Sequence, residues 1–287
     1  MNVCKTIQQI RNAAASARRE DSSVLLVPTM GALHEGHFSL IRQAVGDGGF
    51  VVVSIFVNPT QFAPGEDLAS YPRCVEQDLA ACESLAADAV FLPQVEQMYP
   101  QQSLTQVSVA GMTETLCGRS RQGHFTGVCT VVAKLLNIVQ PDVALFGQKD
   151  FQQAAVIRRM VADLNFPVQI RTCPTVREQD GLAMSSRNAY LGPVQRQQAP
   201  VLYRALQQAG ETIRREHPPA AQVVEQICRQ IEQDAPAGRI DYVEAVDPVS
   251  LLPVEQTTGP VLLALAVHFG RARLIDNLLV DSGPAKP

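Results

Sequence analysis

His34 and His37 stand three residues apart with Gly36 between them. An apolar run at 24–27 precedes them, and a helical pattern at 38–45 follows. The order reads as strand, glycine turn, helix. Such a turn sets two imidazoles at a helix N-terminus, where backbone N–H groups and the helix dipole favour a phosphate. Gly36 lets a nucleotide approach the backbone without meeting a side chain. The chemistry this predicts is work on a nucleoside triphosphate. A lone histidine ordinarily only satisfies a polar contact, so the weight comes from the flanking strand and helix and from segments further along.

One such segment is Asp180-Gly181-Leu182-Ala183-Met184-Ser185-Ser186-Arg187-Asn188. Gly181 permits a tight turn, and two hydroxyls and a guanidinium follow it. A loop of this kind can close on phosphate oxygens, although the same residues also suit a surface turn before a capped helix. In Leu145-Phe146-Gly147-Gln148-Lys149-Asp150-Phe151-Gln152-Gln153 a strand ends at Gly147 and a helix starts near Asp150. A lysine at a helix start opposes the dipole, a local conflict expected at functional sites. Asp150 also suits a helix N-cap. Gln153 lies one turn in and can still face a cleft. After the strand at 50–57 comes Asn58-Pro59-Thr60-Gln61-Phe62, where Gln61 can orient a carboxylate or hydroxyl and Phe62 can wall an apolar pocket. Loop amides alone more often stabilise turns. Residues 118–128 place Arg119 and Arg121 in a glycine-rich stretch that reads equally as a cationic flap or a solvated loop.

Bulk properties narrow the classes. A chain of 287 residues makes one large or two ordinary domains. Hydrophobic residues make up 46%, and no apolar run reaches the roughly 18–20 residues of a membrane span. The start Met1-Asn2-Val3-Cys4-Lys5-Thr6 lacks the pattern of a signal peptide. A net charge of −4 gives no general attraction to nucleic acid. Seven scattered cysteines, none spaced as CxxC, argue against zinc and a disulfide framework and for reduced thiols in the cytoplasm.

The elements that must position these residues follow from periodicity. Thr6 caps a first helix with Ile7, Ile10 and Ala14 on one face. Strands are predicted at 24–27, 50–57, 89–92, 143–146 and 168–172, with helices at 38–45, 72–86, 128–139 and 150–164. The strands are apolar throughout, which marks a parallel sheet covered on both faces. Residues 1–175 are therefore expected to form a doubly wound α/β domain with ligands at the carboxyl ends of its strands. Residues 176–287 read as a smaller α+β domain. It has helices at 195–216 and 220–234 and strands at 241–246, 261–267 and 271–276, with Gly270 turning the last pair. The tail 282–287 is expected to fray.

Together, PTMGALHEGH, IFVNPTQF, GHFTGV, LFGQKDFQQ and DGLAMSSRN resemble the pantoate–β-alanine ligase family, within the wider HxGH nucleotidyltransferases of Rossmann-like fold. The blocks occur in family order between residues 28 and 188. MSSR stands where class I aminoacyl-tRNA synthetases carry their KMSKS loop. Two departures occur: Gln148 replaces the family's usual Glu, and Gln122 replaces a usual Pro. The resemblance implies ATP-dependent joining of pantoate and β-alanine through a pantoyl adenylate, with release of pyrophosphate and AMP. His34, His37, Lys149 and Arg187 are the implied catalytic groups. ATP binding is implied for Met30, Gly31, Ala32, Leu33, Glu35, Gly36, Gly147, Gln148, Asp150, Val176, Met184, Ser185 and Ser186 as well. Gln61 and Gln153 would bind pantoate, with Gln61 also near β-alanine. Mg²⁺ is expected on the phosphates, with Asp150 and Asp78 as candidate protein contacts. The resemblance further implies a homodimer, and the smaller domain is expected to act as a lid hinged around 175–181.

Two other readings share parts of the pattern. An adenylyltransferase acting on a phosphate-bearing acceptor would want extra cations, whereas the segment 58–62 is neutral. A nucleotide-sensing module would lack a phosphate-holding group, yet His34, His37, Lys149 and Arg187 are all present.

Overall fold

The apolar runs lie side by side in a parallel sheet in a computed structural model, which describes residues 1–281 and Gly283 apart from Pro64, Asp67 and Gln102. The tail 282–287, expected to fray, lies outside the described residues except for Gly283. The first elements are β1 (Asn2–Cys4), α1 (Ile7–Arg19), β2 (Val24–Thr29), α2 (Glu35–Gly46), β3 (Phe50–Ile55), α3 (Val75–Ser84) and β4 (Ala89–Phe91). Then come α4 (Val95–Met98), α5 (Leu116–Ser120), α6 (His124–Val139), β5 (Val143–Gly147), α7 (Phe151–Asp163) and β6 (Gln169–Cys173). The last are α8 (Pro193–Gln198), α9 (Val201–Glu216), α10 (Ala220–Asp234), β7 (Gly238–Val246), β8 (Pro260–Phe269) and β9 (Ala272–Asp281). Two compact units result. One holds Met1–Ala110, Arg121–Gln148 and Val156–Pro174; the other holds Gly111–Ser120, Lys149–Ala155 and the chain from Thr175 on.

In the first unit six parallel strands run in the order β1-β4-β3-β2-β5-β6, the α/β class expected from the sequence. The order reverses at β2, which has β3 on one side and β5 on the other. Ligands bind beyond the carboxyl ends of strands at such a reversal, and the histidine turn leaves β2 there. Val24, Leu26, Val27, Val51, Val52 and Val53 are wholly buried. Each is worth about 1.5–3 kcal/mol of burial, so the strand ends are a rigid platform. α1 starts as expected, with Gln9 N–H donating to Thr6 Oγ1 and Thr6 N–H donating to Gln9 Oε1. β1 escapes sequence reading because three residues carry too little periodicity.

The second unit is a three-stranded antiparallel sheet, β7-β8-β9, packed by α9 and α10. Leu206, Ile213, Ile227, Ile231, Leu263, Leu265 and Phe269 form its core. Gly270, at φ +59, turns β8 into β9 as expected. The helix expected over 195–216 is two helices, α8 and α9, with Pro200 at the break. Proline has no N–H to continue the ladder and clashes with the preceding turn. Among the described residues no helix is long and apolar enough to cross a membrane.

Candidate active site

In the first unit, β2 ends at Thr29 and the chain turns through Gly31 (φ +82) and Ala32 (φ +48) into α2. Ala32 in the left-handed region costs roughly 1–2 kcal/mol that glycine would not incur. His34 is the N-cap of α2, and the cap is reciprocal. Gly36 N–H donates to His34 Nδ1 at 3.2 Å, and His34 N–H donates to His37 Nδ1 at 3.3 Å. Each imidazole therefore plays the part that Ser and Glu play in an ordinary capping box. With Nδ1 an acceptor, each neutral ring carries its proton on Nε2. The two rings lie 4.1 Å apart, centroid to centroid, both half-buried. Glu35, in the first turn, is ion-paired with Arg42, which holds its carboxyl below the usual range.

Gln61 lies in a short 3₁₀ turn, Pro59–Gln61, after β3, and Asn58 fixes its amide. Asn58 is 1% exposed. Its Nδ2 donates to Gln61 Oε1 at 3.1 Å and to Gly127 O at 3.2 Å, while its Oδ1 accepts from Tyr99 OH and Thr60 Oγ1, both at 2.9 Å. Gln61 Nε2 then donates toward Met30 Sδ at 2.9 Å. A Cβ on Gly127 would lie 2.3 Å from Thr60 O, so only glycine lets α6 approach this turn. His124 Nδ1 donates to Gln61 O at 2.8 Å, because Arg121, a donor only, occupies its Nε2 at 3.0 Å. Arg121 also forms a bidentate pair with Glu66, both bonds 2.7 Å. Burial pushes the Glu66 carboxyl up, but Arg121 outweighs it and holds the group low.

Asp78 lies against the histidine turn. Its two carboxylate oxygens accept from the backbone N–H groups of Ala32 and Leu33. Gly147 ends β5, and a Cβ there would meet nothing within 4 Å, which leaves room for a ligand at the backbone. Gln148 follows it, half-buried. A cavity of about 480 Å³ in this unit, lined by Thr60, Tyr99, Thr126 and Thr130 among others, touches none of the predicted site residues.

In the second unit, Lys149 Nζ lies 3.6 Å from Asp150 Oδ1, and Asn277 Nδ2 in β9 holds Lys149 O at 2.9 Å. Gln153 is half-buried in the first turn of α7. Its neighbour Gln152 is buried and spends its amide on Cys117 N, Met112 O and Thr115 O. The segment 176–188 is a pinned hairpin. Arg177 pairs with Ala183, Met184 N–H donates to Val176 O at 3.0 Å, and Gly181 turns at φ +93. Arg196 bridges Glu178 at 2.5 Å and Asp180 at 2.6 Å. Glu178 in turn accepts from Asn188 Nδ2 at 2.8 Å. Arg177 forms a bidentate pair with Asp276 at 2.6 and 2.9 Å, its guanidinium 3.4 Å above the Tyr203 ring. Ser185 caps the 3₁₀ turn Ser186–Tyr190 by accepting from Arg187 N–H at 3.3 Å. Met184, Ser185, Ser186 and Arg187 are all half-buried.

The stretch read as flap or loop is instead ordered: Leu116–Ser120 is helix α5, and Arg119 pairs with Glu244. Sequence reading gave no role to Asn58, His124, Glu66, Arg177, Arg196 or Asn277. Glu66 meets Arg121, Arg177 meets Asp276 and Asn277 meets Lys149 far along the chain, so no local spacing announces these pairs. All seven cysteines are free thiols. Burial holds Cys82 and Cys129 at about 11, which makes neither a nucleophile at neutral pH.

The sequence profile of the pantoate-beta-alanine ligase family matches residues 2–279. The pantothenate synthetase of Moorella thermoacetica is 54% identical over 281 residues, 98% of this chain and 99% of that one. That of Pelotomaculum thermopropionicum is 52% identical over 280 residues, with the same coverage. The crystal structure of pantothenate synthetase from Thermus thermophilus superposes with a TM-score of 0.92 at 45% identity, covering 99% of this chain and 100% of that one. A pantoate-beta-alanine ligase from Francisella tularensis, solved with beta-gamma ATP and beta-alanine, gives 0.79 at 33% identity, covering 97% of each chain.

Proposed function

Because the chain belongs to the pantoate–β-alanine ligase family, we propose that it joins pantoate to β-alanine in two steps. The pantoate carboxylate attacks the α-phosphorus of ATP, the bond to pyrophosphate breaks, and pantoyl adenylate forms. The β-alanine amine then attacks the acyl carbon and AMP leaves. Phosphoryl transfer needs positioning and charge stabilisation more than covalent help. The observation that most supports this reading is the reciprocal histidine cap at the carboxyl end of β2. Both rings have Nδ1 on the backbone, so each presents Nε2–H as its donor toward phosphate oxygens, and His37 Nε2–H can donate a hydrogen bond to the departing pyrophosphate. Lys149, Ser185, Ser186 and Arg187 hold the triphosphate, while Met30, Gly147 and Val176 border the adenosine. Gln61 and Gln153 bind pantoate, and Gln61 also lies near β-alanine. Asn58 accounts for the polarity of Gln61: it takes Oε1, so the end that can donate to a carboxylate or hydroxyl is Nε2, which now rests on Met30 Sδ.

For Mg²⁺ the fit is partial. Among the described residues no three His, Cys, Asp or Glu side chains converge, and Asp150 offers one partly exposed carboxylate. That suits an ion held mainly by phosphate and water, which would neutralise phosphate charge. The reading places the enzyme in the cytoplasm as a homodimer, and light scattering should give twice 31.1 kDa. It also makes residues 176–287 a lid, so ATP should change hydrogen exchange over 175–181.

The deciding experiment is ATP–pyrophosphate exchange with pantoate present and β-alanine absent. Exchange that requires pantoate is the expected result. Tight ATP binding without exchange would replace the ligase mechanism with another acceptor.

A further inference from the structure

Asp78 sits on α3, remote in sequence from the histidine turn, and is 3% exposed. Its Oδ2 accepts from Ala32 N–H at 2.9 Å and its Oδ1 from Leu33 N–H at 2.7 Å. Between them the turn carries two consecutive left-handed residues, Gly31 and Ala32. A Cβ on Gly31 would lie 3.0 Å from Asp78 Oδ2 and 3.2 Å from Ile55 Cγ2, so glycine is what lets the carboxylate come this close. Ala32 lacks that freedom, and an alanine at φ +48 persists only where its surroundings impose it. Successive N–H groups around left-handed residues form a concavity for an anion. Here the anion belongs to the protein itself.

We propose that Asp78 is a positioning residue for the adenylation step. Its buried carboxylate holds the Gly31–Leu33 turn in left-handed form, and so sets His34 at the N-cap of α2 and His37 one turn further on. This rests on the reading of those histidines as triphosphate-binding groups. It also replaces a metal contact at Asp78. A cation on this carboxylate would face two N–H dipoles whose positive ends point at the same oxygens, in a pocket with little room for the water that Mg²⁺ keeps.

The test is Asp78→Asn, which keeps the shape but sets an NH₂ donor against a backbone N–H. Pantoate-dependent ATP–pyrophosphate exchange should fall about 10- to 100-fold, as for a misplaced catalytic group. Half-saturating Mg²⁺ should stay at the wild-type value, and the Ala32 and Leu33 amides should lose protection from hydrogen exchange. Adding Ala32→Gly to Asp78→Asn should recover part of the rate, because glycine adopts the turn unaided. Wild-type exchange and protection in Asp78→Asn would overturn the proposal. So would a large rise in half-saturating Mg²⁺ with no recovery from Ala32→Gly, the signature of a lost metal ligand. If Asp78→Asn does not fold, or if the wild type shows no exchange and the functional reading fails, amide protection in the wild type decides. Ala32 and Leu33 amides exchanging at solvent rates would mean that no clamp exists.

Discussion

The turn at 29–37 and the hairpin at 176–188 supply most of the expected triphosphate contacts, yet different forces hold them. The turn is fixed by imidazole caps and by a buried carboxylate on backbone N–H groups. The hairpin is fixed by guanidinium–carboxylate pairs, Arg177 with Asp276 and Arg196 with Glu178 and Asp180. Buried hydrogen bonds to the backbone and the buried Arg177–Asp276 pair feel little salt, whereas the part-exposed Arg196 pairs are screened. The turn should therefore keep its geometry across ionic conditions, and the hairpin should yield first. The strand platform under the turn makes sense of this. A turn leaving a rigid sheet needs only local locks, while a hairpin without such a base needs long side chains reaching in from α8 and β9.

The largest effect should come from the buried end of the hairpin's network. Asp276 is 4% exposed, and Asp276→Ala leaves the Arg177 guanidinium without its partner. Removing one member of such a pair costs about 3–5 kcal/mol, to be read from urea unfolding. A loss under about 1 kcal/mol would mean that the network does not carry the hairpin.

Next come the groups that act on charge. His37→Ala in the turn and Lys149→Ala should each raise the adenylation barrier by about 2–4 kcal/mol in the pyrophosphate-exchange assay. His37→Ala also removes the acceptor for His34 N–H, so it should loosen the start of α2, whereas Lys149→Ala should leave that helix unchanged. Near-normal exchange in both variants would sink the assigned roles.

What the sequence revealed of these two regions divides along the same line. The turn was legible because its chemistry is local: an apolar strand, Gly31 and Gly36, and two histidines one helical turn apart. The Thr6 cap and the Gly270 hairpin were legible for the same reason. The hairpin was legible only as a turn at Gly181 and a run of hydroxyls. The charges that pin it come from Arg196 and Asp276, at distances along the chain that no periodicity spans. Asp78 enters from the sequence only through the family resemblance, as a candidate Mg²⁺ contact beside Asp150. Only the fold shows its oxygens turned onto Ala32 and Leu33. Pro200 was visible in the sequence, yet the flanking helical pattern at 195–216 masked the break it makes.

A milder variant separates the two regions by substrate affinity. Arg196 is partly exposed, so each of its pairs is worth roughly 0.5–1 kcal/mol after solvent screening. Arg196→Ala should raise the KM for ATP about 3- to 10-fold with kcat little changed, as loss of uniform binding does. Salt should act the same way on the wild type, and its effect on KM should shrink in Arg196→Ala. An equal salt response in both proteins would remove the charge argument for the hairpin.

The smallest effect concerns acid. Burial pushes the Asp180 carboxyl up, but the Arg196 hydrogen bond, aided by Leu182 N–H, outweighs it and holds the group below its ordinary value. A carboxyl lowered in the folded state contributes stability that is complete above its unfolded value, about 4 for aspartate. That contribution is lost as pH falls through the folded value. Glu66, held low by Arg121 in the first unit, follows the same sign. The unfolding midpoint of the wild type should therefore drop on acidification below about pH 4. Arg196→Ala should flatten the part of that drop due to Asp180 and leave the part due to Glu66. Hydrogen exchange should place the acid-sensitive opening of 176–188 apart from that of 29–37, since the hairpin rests on guanidinium–carboxylate pairs and the turn on imidazole caps. Simultaneous opening of both segments would mean that they are locked by one cooperative network, and the contrast between them would fail.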